Sequence, residues 1–201
     1  MFFYSHTFEP VPITLDHFFF KRGLGFALEA DFKARCVWYY GRYSRGLMLR
    51  SFFHDGGLAT CLIRIAEACR QARWTAWLAG VTLGLVRGLC HCRIGRGATF
   101  GPGLVLLHPF GVFIHTTVQA GANLILQNNI TLGGEDDRGP RLGQNVFVGV
   151  GARVIGPLTL GDRCRVGANA VVMVSIKEDH VAAGNPARQI PHANGGGHGS
   201  V

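Results

Sequence analysis

Residues 94–134, IGRGATFGPGLVLLHPFGVFIHTTVQAGANLILQNNITLGG, and 142–172, LGQNVFVGVGARVIGPLTLGDRCRVGANAVV, decide the fold. Stepping by six from Ile94 meets Phe100, Leu106, Val112, Val118, Leu124 and Ile130. The step lapses at Asp136, and the same phase returns at Leu142, Val148, Val154, Leu160, Val166 and Val172. A glycine often follows, as at Gly95, Gly101, Gly143, Gly149, Gly161 and Gly167. A period of six fits neither the turn of an α-helix nor plain strand alternation. Glycine at this density would also break helices. The pattern is the hexapeptide repeat of a parallel β-helix. Each hexad is one short strand and a tight turn, and three hexads close a triangular coil. The apolar residue at each step points inward and stacks on its equivalent in the next coil. Gly and Asn take the unusual φ that the turns demand. No coil buries its apolar face alone, so stability comes from stacked neighbours. The expected fold class is mainly β, a parallel β-helix behind a small helical region. The periodicity does not set its hand.

Working outward, residues 1–93 read as an N-terminal helical region, 94–190 as the β-helix with a closing segment, and 191–201 as a disordered tail. The tail ends in low-complexity HANGGGHGSV. Within the first region, 28–50 and 58–89 read as helical, broken at Asp55-Gly56-Gly57. Leu62, Ile65, Ala66, Cys69, Ala76, Trp77 and Ala79 recur at three- and four-residue spacing. Residues 1–25, with aromatics and Pro10 and Pro12, read as a segment that caps or docks. Glu135 to Arg141, EDDRGPR, reads as a polar loop thrown out of one coil.

Composition narrows the function. The chain has 201 residues and a net charge of +8. Residues 1–93 carry 12 Lys/Arg against 6 Asp/Glu, and the remainder 8 against 6. The basic excess sits in the front half, but no basic run interleaves with aromatics. A solvated helical surface is expected there, not a nucleic-acid interface. Trp74 to Val86 is apolar, too short to span a bilayer and bracketed by Arg73 and Arg87. Membrane contact is therefore at most peripheral. The six cysteines are irregularly spaced, and the Met-Phe-Phe start carries no secretory leader. They read as reduced thiols of a cytoplasmic protein. Cys90-His91-Cys92 has no second Cys/His pair at ligand spacing, so no metal is expected.

A flat-sided prism has no natural cleft, so its polar exceptions mark a site. His108, in LLHPFG, stands two residues after the apolar step at Leu106. Histidine is suited to take a hydroxyl proton near neutral pH. On spacing alone a satisfied turn histidine accounts for it equally well.

Several segments carry a resemblance. They are GPGLVLLHPFGVFI (101–114), ILQNNITLGG (125–134), DRGPRLG (137–143), VGVGARVIGPLTLGDRCRVGANAVV (148–172) and AAGNPAR (182–188). More weakly, ALEADFKAR (27–35) and FFHDGGLATCLIRIAEA (52–68) extend it forward. In these the chain resembles the serine acetyltransferases and their close hexapeptide-repeat relatives. The resemblance implies a left-handed β-helix, a homotrimer or dimer of trimers, and acetyl-CoA as donor to the hydroxyl of a small acceptor. It puts the general base on His108, and backbone N–H groups near the TLGG turn on the developing oxyanion. It puts acetyl-CoA along a groove between subunits, against Gly134, Val150, Ala168 and Arg188. Arg188 alternatively only caps the closing segment. Arg138 is placed to hold an acceptor carboxylate. His115, in FIHTT, reads as a surface residue or as a lining of the acceptor side.

The departures matter as much. The family's carboxylate beside the catalytic histidine is Leu107 here, and another, at the first coil, is Arg93. The Arg-His pair of the substrate loop reads Arg138-Gly139. The helical acidic residue that helps hold the amino acid has no clear counterpart. Leucine cannot orient an imidazole, so Glu135, Asp136 and Asp137 are the candidates for that charge, from the loop of the same chain or across a subunit boundary. The acceptor is accordingly serine, or a sugar, polysaccharide or specialised-metabolite hydroxyl. A non-catalytic relative is the further alternative. Zinc-dependent hydration of carbon dioxide on a similar prism needs three histidines, and 94–176 offers only His108 and His115.

Overall fold

The computed structural model describes residues 23–71 and 73–191. The expectations for the aromatic segment before residue 23 and for the tail after 191 lie outside the described residues. Among the described residues four helices lead: α1 (Leu24–Tyr40), α2 (Arg45–Phe52), α3 (Gly57–Gln71) and α4 (Ala76–Cys90). The two helical stretches read from the sequence are thus each divided. Gly41, in the left-handed region at φ 66°, ends α1 and returns its N–H to Val37. Ser44 then starts α2 by accepting from the Leu47 N–H. The later stretch breaks at a turn before Ala76, where the Thr75 hydroxyl donates to the Cys69 carbonyl at 2.8 Å.

The rest is a parallel β-solenoid. Its first coil is β1 (Arg93–Ile94), β2 (Thr99–Phe100) and β3 (Val105–Leu106). The second is β4 (Phe113–Ile114), β5 (Gln119–Ala120) and β6 (Ile125–Leu126). The third is β7 (Thr131–Gly133), β8 (Arg141–Leu142) and β9 (Phe147–Val148). The fourth is β10 (Arg153–Ile155), β11 (Thr159–Leu160) and β12 (Arg165–Val166), topped by β13 (Val171–Val172). An antiparallel pair, β14 (His180–Gly184) and β15 (Ala187–Pro191), closes one face. Strands stack into three sheets: sheet A (β1-β4-β7-β10-β13), sheet B (β2-β5-β8-β11) and sheet C (β3-β6-β9-β12-β14-β15).

Every residue of the six-step series is buried, none more than 8 % exposed. The frame nonetheless slips where the sequence reads as unbroken. Ile94 pairs with Ile114, twenty residues on, where a regular coil takes eighteen. Two extra residues enter between β3 and β4, in the stretch that holds His108. Ile114 and Leu126 in the second coil, and Leu132 in the third, therefore occupy the positions equivalent to Ile94 and Leu106. Val112, Val118, Leu124 and Ile130 fall two residues earlier and are buried as well. Four more residues enter between β7 and β8, where Gln119 pairs with Arg141, twenty-two residues on. Two and four complete one hexad, and so the phase returns at Leu142.

The helices are docked on this prism. Ala59 and Ile63 of α3 and Val86 of α4 join the solenoid core beneath its first coil. α1 lies against the outer side of sheet C, where Ala34 and Trp38 pack with Val105, Leu107, Ile125 and Phe147. Arg64 pins the two parts electrostatically. It donates to both Asp31 oxygens, to Glu67 and to the carbonyls of Phe100 and Gly101. Burial opposes its charge, but the Asp31 and Glu67 carboxylates outweigh burial and raise its pKa. No helix among the described residues is long and apolar enough to cross a membrane.

Candidate active site

The extra residues between β3 and β4 form the corner that joins sheet C to sheet A. Higher coils turn this corner with one left-handed residue each: Asn129, Gly151 and Asn169. The first coil uses two, His108 at φ 51° and Gly111 at φ 71°. The bulge carries the His108 ring off the prism, and the side chain is 62 % exposed. Leu107 beside it is buried against α1.

The carboxylate that meets His108 is Asp55, whose Oδ2 lies 2.8 Å from Nδ1. It belongs to the turn between α2 and α3. Within the chain the sequence candidates Glu135, Asp136 and Asp137 do not reach the ring, because their loop stands on another corner, between sheets A and B. Asp55 was legible only as part of a helix break, since nothing in its spacing points to a residue 53 positions away.

Three anchors hold the Asp55 turn. Arg35, buried in the interface, donates to the Asp55 carbonyl and, at 3.0 Å, to the Leu106 carbonyl. Burial pulls its pKa down, countered by Tyr39 and by the charge of Asp55. Gly56 sits at φ 87°, and a Cβ there would lie 2.3 Å from the Leu106 carbonyl oxygen. The His54 ring stacks on Tyr39 at 4.5 Å and shares a 2.8 Å hydrogen bond with the Tyr40 hydroxyl.

The remaining candidates divide between two corners. Val150 and Ala168 lie on the same sheet C–sheet A corner as His108, two and three coils along. Arg188, exposed on β15 opposite Ala183, tops that side. Strands in a sheet are about 4.8 Å apart, so this edge runs roughly 15 Å from His108 to Ala168. The Gln127 side chain accepts from the Val150 N–H on the way. His115, Gly134 and Arg138 stand together on the sheet A–sheet B corner. His115 bonds the Thr117 hydroxyl at 2.9 Å, and a Cβ on Gly134 would lie 2.5 Å from its Nδ1. Glu135 and Arg138 close their loop with reciprocal main-chain bonds of 2.9 Å. Within one chain, the width of sheet A separates this group from His108. The TLGG turn is on that second corner too, so it does not face the imidazole of its own chain.

The Cys90-His91-Cys92 run points in different directions. Cys92 is enclosed in the core, where burial pushes its thiol up to about 12. His91 ends α4 at φ 51°, and its ring stacks on Phe110 at 5.5 Å. Among the described residues no group of three His, Cys, Asp or Glu is placed to hold a metal ion.

The family of bacterial transferase hexapeptides (six repeats) matches residues 139–173. The chain is 35 % identical over 141 residues to a serine acetyltransferase of Helicobacter pylori, covering 68 % of this chain and 82 % of that one. The Brucella abortus serine acetyltransferase solved in complex with coenzyme A superposes with a TM-score of 0.72 at 28 % identity, covering 82 % of this chain and 66 % of that one. A soybean serine acetyltransferase complexed with serine gives 0.73 at 27 % identity, covering 84 % and 70 %.

Proposed function

Because this chain belongs to the serine acetyltransferase family, we propose that it transfers the acetyl group of acetyl-CoA to the hydroxyl of serine, with His108 as general base. The observation that carries this reading is the presentation of His108. Its Nδ1 is engaged by a carboxylate, its ring is exposed, and it stands at the foot of the edge that carries Val150 and Ala168. A protonated Nδ1 leaves the Nε2 lone pair for a substrate.

His108 Nε2 takes the hydroxyl proton as the acceptor oxygen bonds to the thioester carbonyl carbon. When the tetrahedral species collapses, the carbon–sulfur bond breaks and Nε2 returns the proton to the leaving sulfur. No covalent enzyme intermediate is needed. The extended donor lies along the His108–Val150–Ala168 edge, with Arg188 toward its anionic end. Arg138 takes the acceptor carboxylate with His115 lining that side, and Gly134 contacts the donor across the groove between subunits.

A homotrimer, or two joined trimers, fits the division of these residues. A neighbouring copy can bring its sheet A–sheet B corner to the His108 corner, which sheet A forbids within one chain. Residues 94–190 are then the catalytic solenoid, with the helical region up to 93 supporting it. A cytoplasmic location is consistent with six free cysteines.

One observation favours a second acceptor class. Phe110, two residues beyond His108, is 54 % exposed and stacked on His91, an aromatic face suited to the C–H face of a sugar. The test is thiol release from acetyl-CoA with serine, homoserine and neutral or amino sugars in parallel. Serine-dependent release is expected. Release with sugars alone moves the acceptor assignment, and none with any hydroxyl compound contradicts acetyl transfer.

A further inference from the structure

We propose that Asp55, from the helical region, is the positioning residue for His108, replacing the carboxylate that position 107 lacks. This rests on His108 acting as the base.

The geometry is specific. The Asp55 carboxylate accepts from Nδ1 at 2.8 Å, which fixes the tautomer and turns Nε2 outward. As Nε2 gains the acceptor proton the imidazole becomes cationic, and the adjacent carboxylate stabilises it. Among the described residues no other carboxylate is bonded to this ring. Leu107 is apolar and buried, and within the chain Glu135, Asp136 and Asp137 are on the other corner, so Asp55 is the carboxylate that the protomer itself supplies.

The pair is not a fold staple. Its side chains are 62 % and 60 % exposed, and water screens an exposed pair so that it adds little to stability. The helical region is instead held by Arg64 and by the anchors of the Asp55 turn. Those anchors grip β3 itself: Arg35 and Gly56 both abut the Leu106 carbonyl, two residues before His108. The turn is therefore fixed to the strand that delivers the histidine. The solenoid supplies the base and the docked helices supply its orientation, so docking and catalysis are coupled.

The test uses the full chain with Asp55→Asn, Asp55→Ala and Asp55→Glu. Expected for Asn and Ala is a fall in kcat of about 10²-fold or more, with KM for acetyl-CoA within about twofold of the parent. The melting temperature should stay within a few degrees, and Glu should recover part of kcat. ¹⁵N NMR of histidine-labelled protein should show the Nδ1–H tautomer of His108, assigned by its loss in His108→Ala, and redistribution to Nε2–H in Asp55→Asn. A kcat within twofold of the parent, or an unchanged tautomer, overturns the proposal. So does a raised KM for serine with intact kcat, which would make Asp55 an acceptor ligand instead. An inactive parent chain would sink the proposed function and not this pairing, because the tautomer is read without turnover.

Discussion

The guanidinium of Arg64 on α3 grips both carboxylate oxygens of Asp31 on α1, at 2.7 and 2.9 Å, with the two side chains 4 % and 1 % exposed. The same Asp31 accepts from the N–H groups of Gly103 and Leu104, just before β3. One buried cluster thus ties two helices to the first coil. Removing a single partner leaves a desolvated charge uncompensated. Arg64→Met should cost about 3–5 kcal/mol in urea unfolding. A loss under 1 kcal/mol would mean the cluster is hydrated and not structural.

Gly56 is required where it stands. Alanine there would meet the Leu106 carbonyl oxygen at 2.3 Å and Arg35 Nη2 at 2.9 Å, at a φ that side chains disfavour. Gly56→Ala should cost about 1–3 kcal/mol and lower kcat by displacing Asp55. Gly88→Ala on α4, with open space around it, serves as the control and should be neutral or mildly stabilising. Thermal melts and acetyl-CoA turnover on both variants check this.

The four-residue loop is an addition to an otherwise regular coil. Glu135 and Arg138 already bond to each other across its neck. Deleting residues 135–138 should restore an eighteen-residue coil and leave the melting temperature unchanged or higher. Serine KM should rise at least tenfold if Arg138 holds the acceptor carboxylate. Unfolding of the deletion variant, or an unaltered serine KM, would contradict this account.

Cys92 lies in the core with its thiol pushed up to about 12 by burial, with a smaller contribution from Cys90. A raised thiol pKa means the neutral form persists through the physiological range. The thiolate that would react is therefore scarce, and the buried site is closed to reagent. Native protein treated with a disulfide reagent should leave Cys92 unmodified, and unfolded protein should not. Rapid native labelling, located by peptide mass, would show that the first coil opens.

The solenoid was legible because its signal is repeated burial. Each residue of the six-step series tolerates the same reading, and both inward-facing positions of a coil are apolar. That redundancy also hid the frame slip. Val112 through Ile130 satisfy the period while sitting two residues away from the equivalent positions, and the strand pairing, such as Ile94 with Ile114 and Val105 with Ile125, exposes it. His108 was legible as a polar exception next to an apolar step. Asp55 was not, because its partnership depends on how α2 and α3 dock on β3, a long-range contact with no periodic signature. The helix breaks after Tyr40 and before Ala76 carry weak local signals, a single Gly41 at the first and a Thr75 that makes no side-chain cap at the second. The division of His115 and Arg138 from His108 follows from corner geometry, which loop lengths alone do not convey.

The central claim is that the imidazole at position 108 performs proton transfer in acetyl transfer. The most direct measurement is kcat for thiol release from acetyl-CoA with saturating serine, comparing the parent chain with His108→Asn at equal folded fraction. A fall of about 10²–10⁴-fold with acetyl-CoA KM little changed is predicted. Turnover within a few-fold of the parent would contradict it.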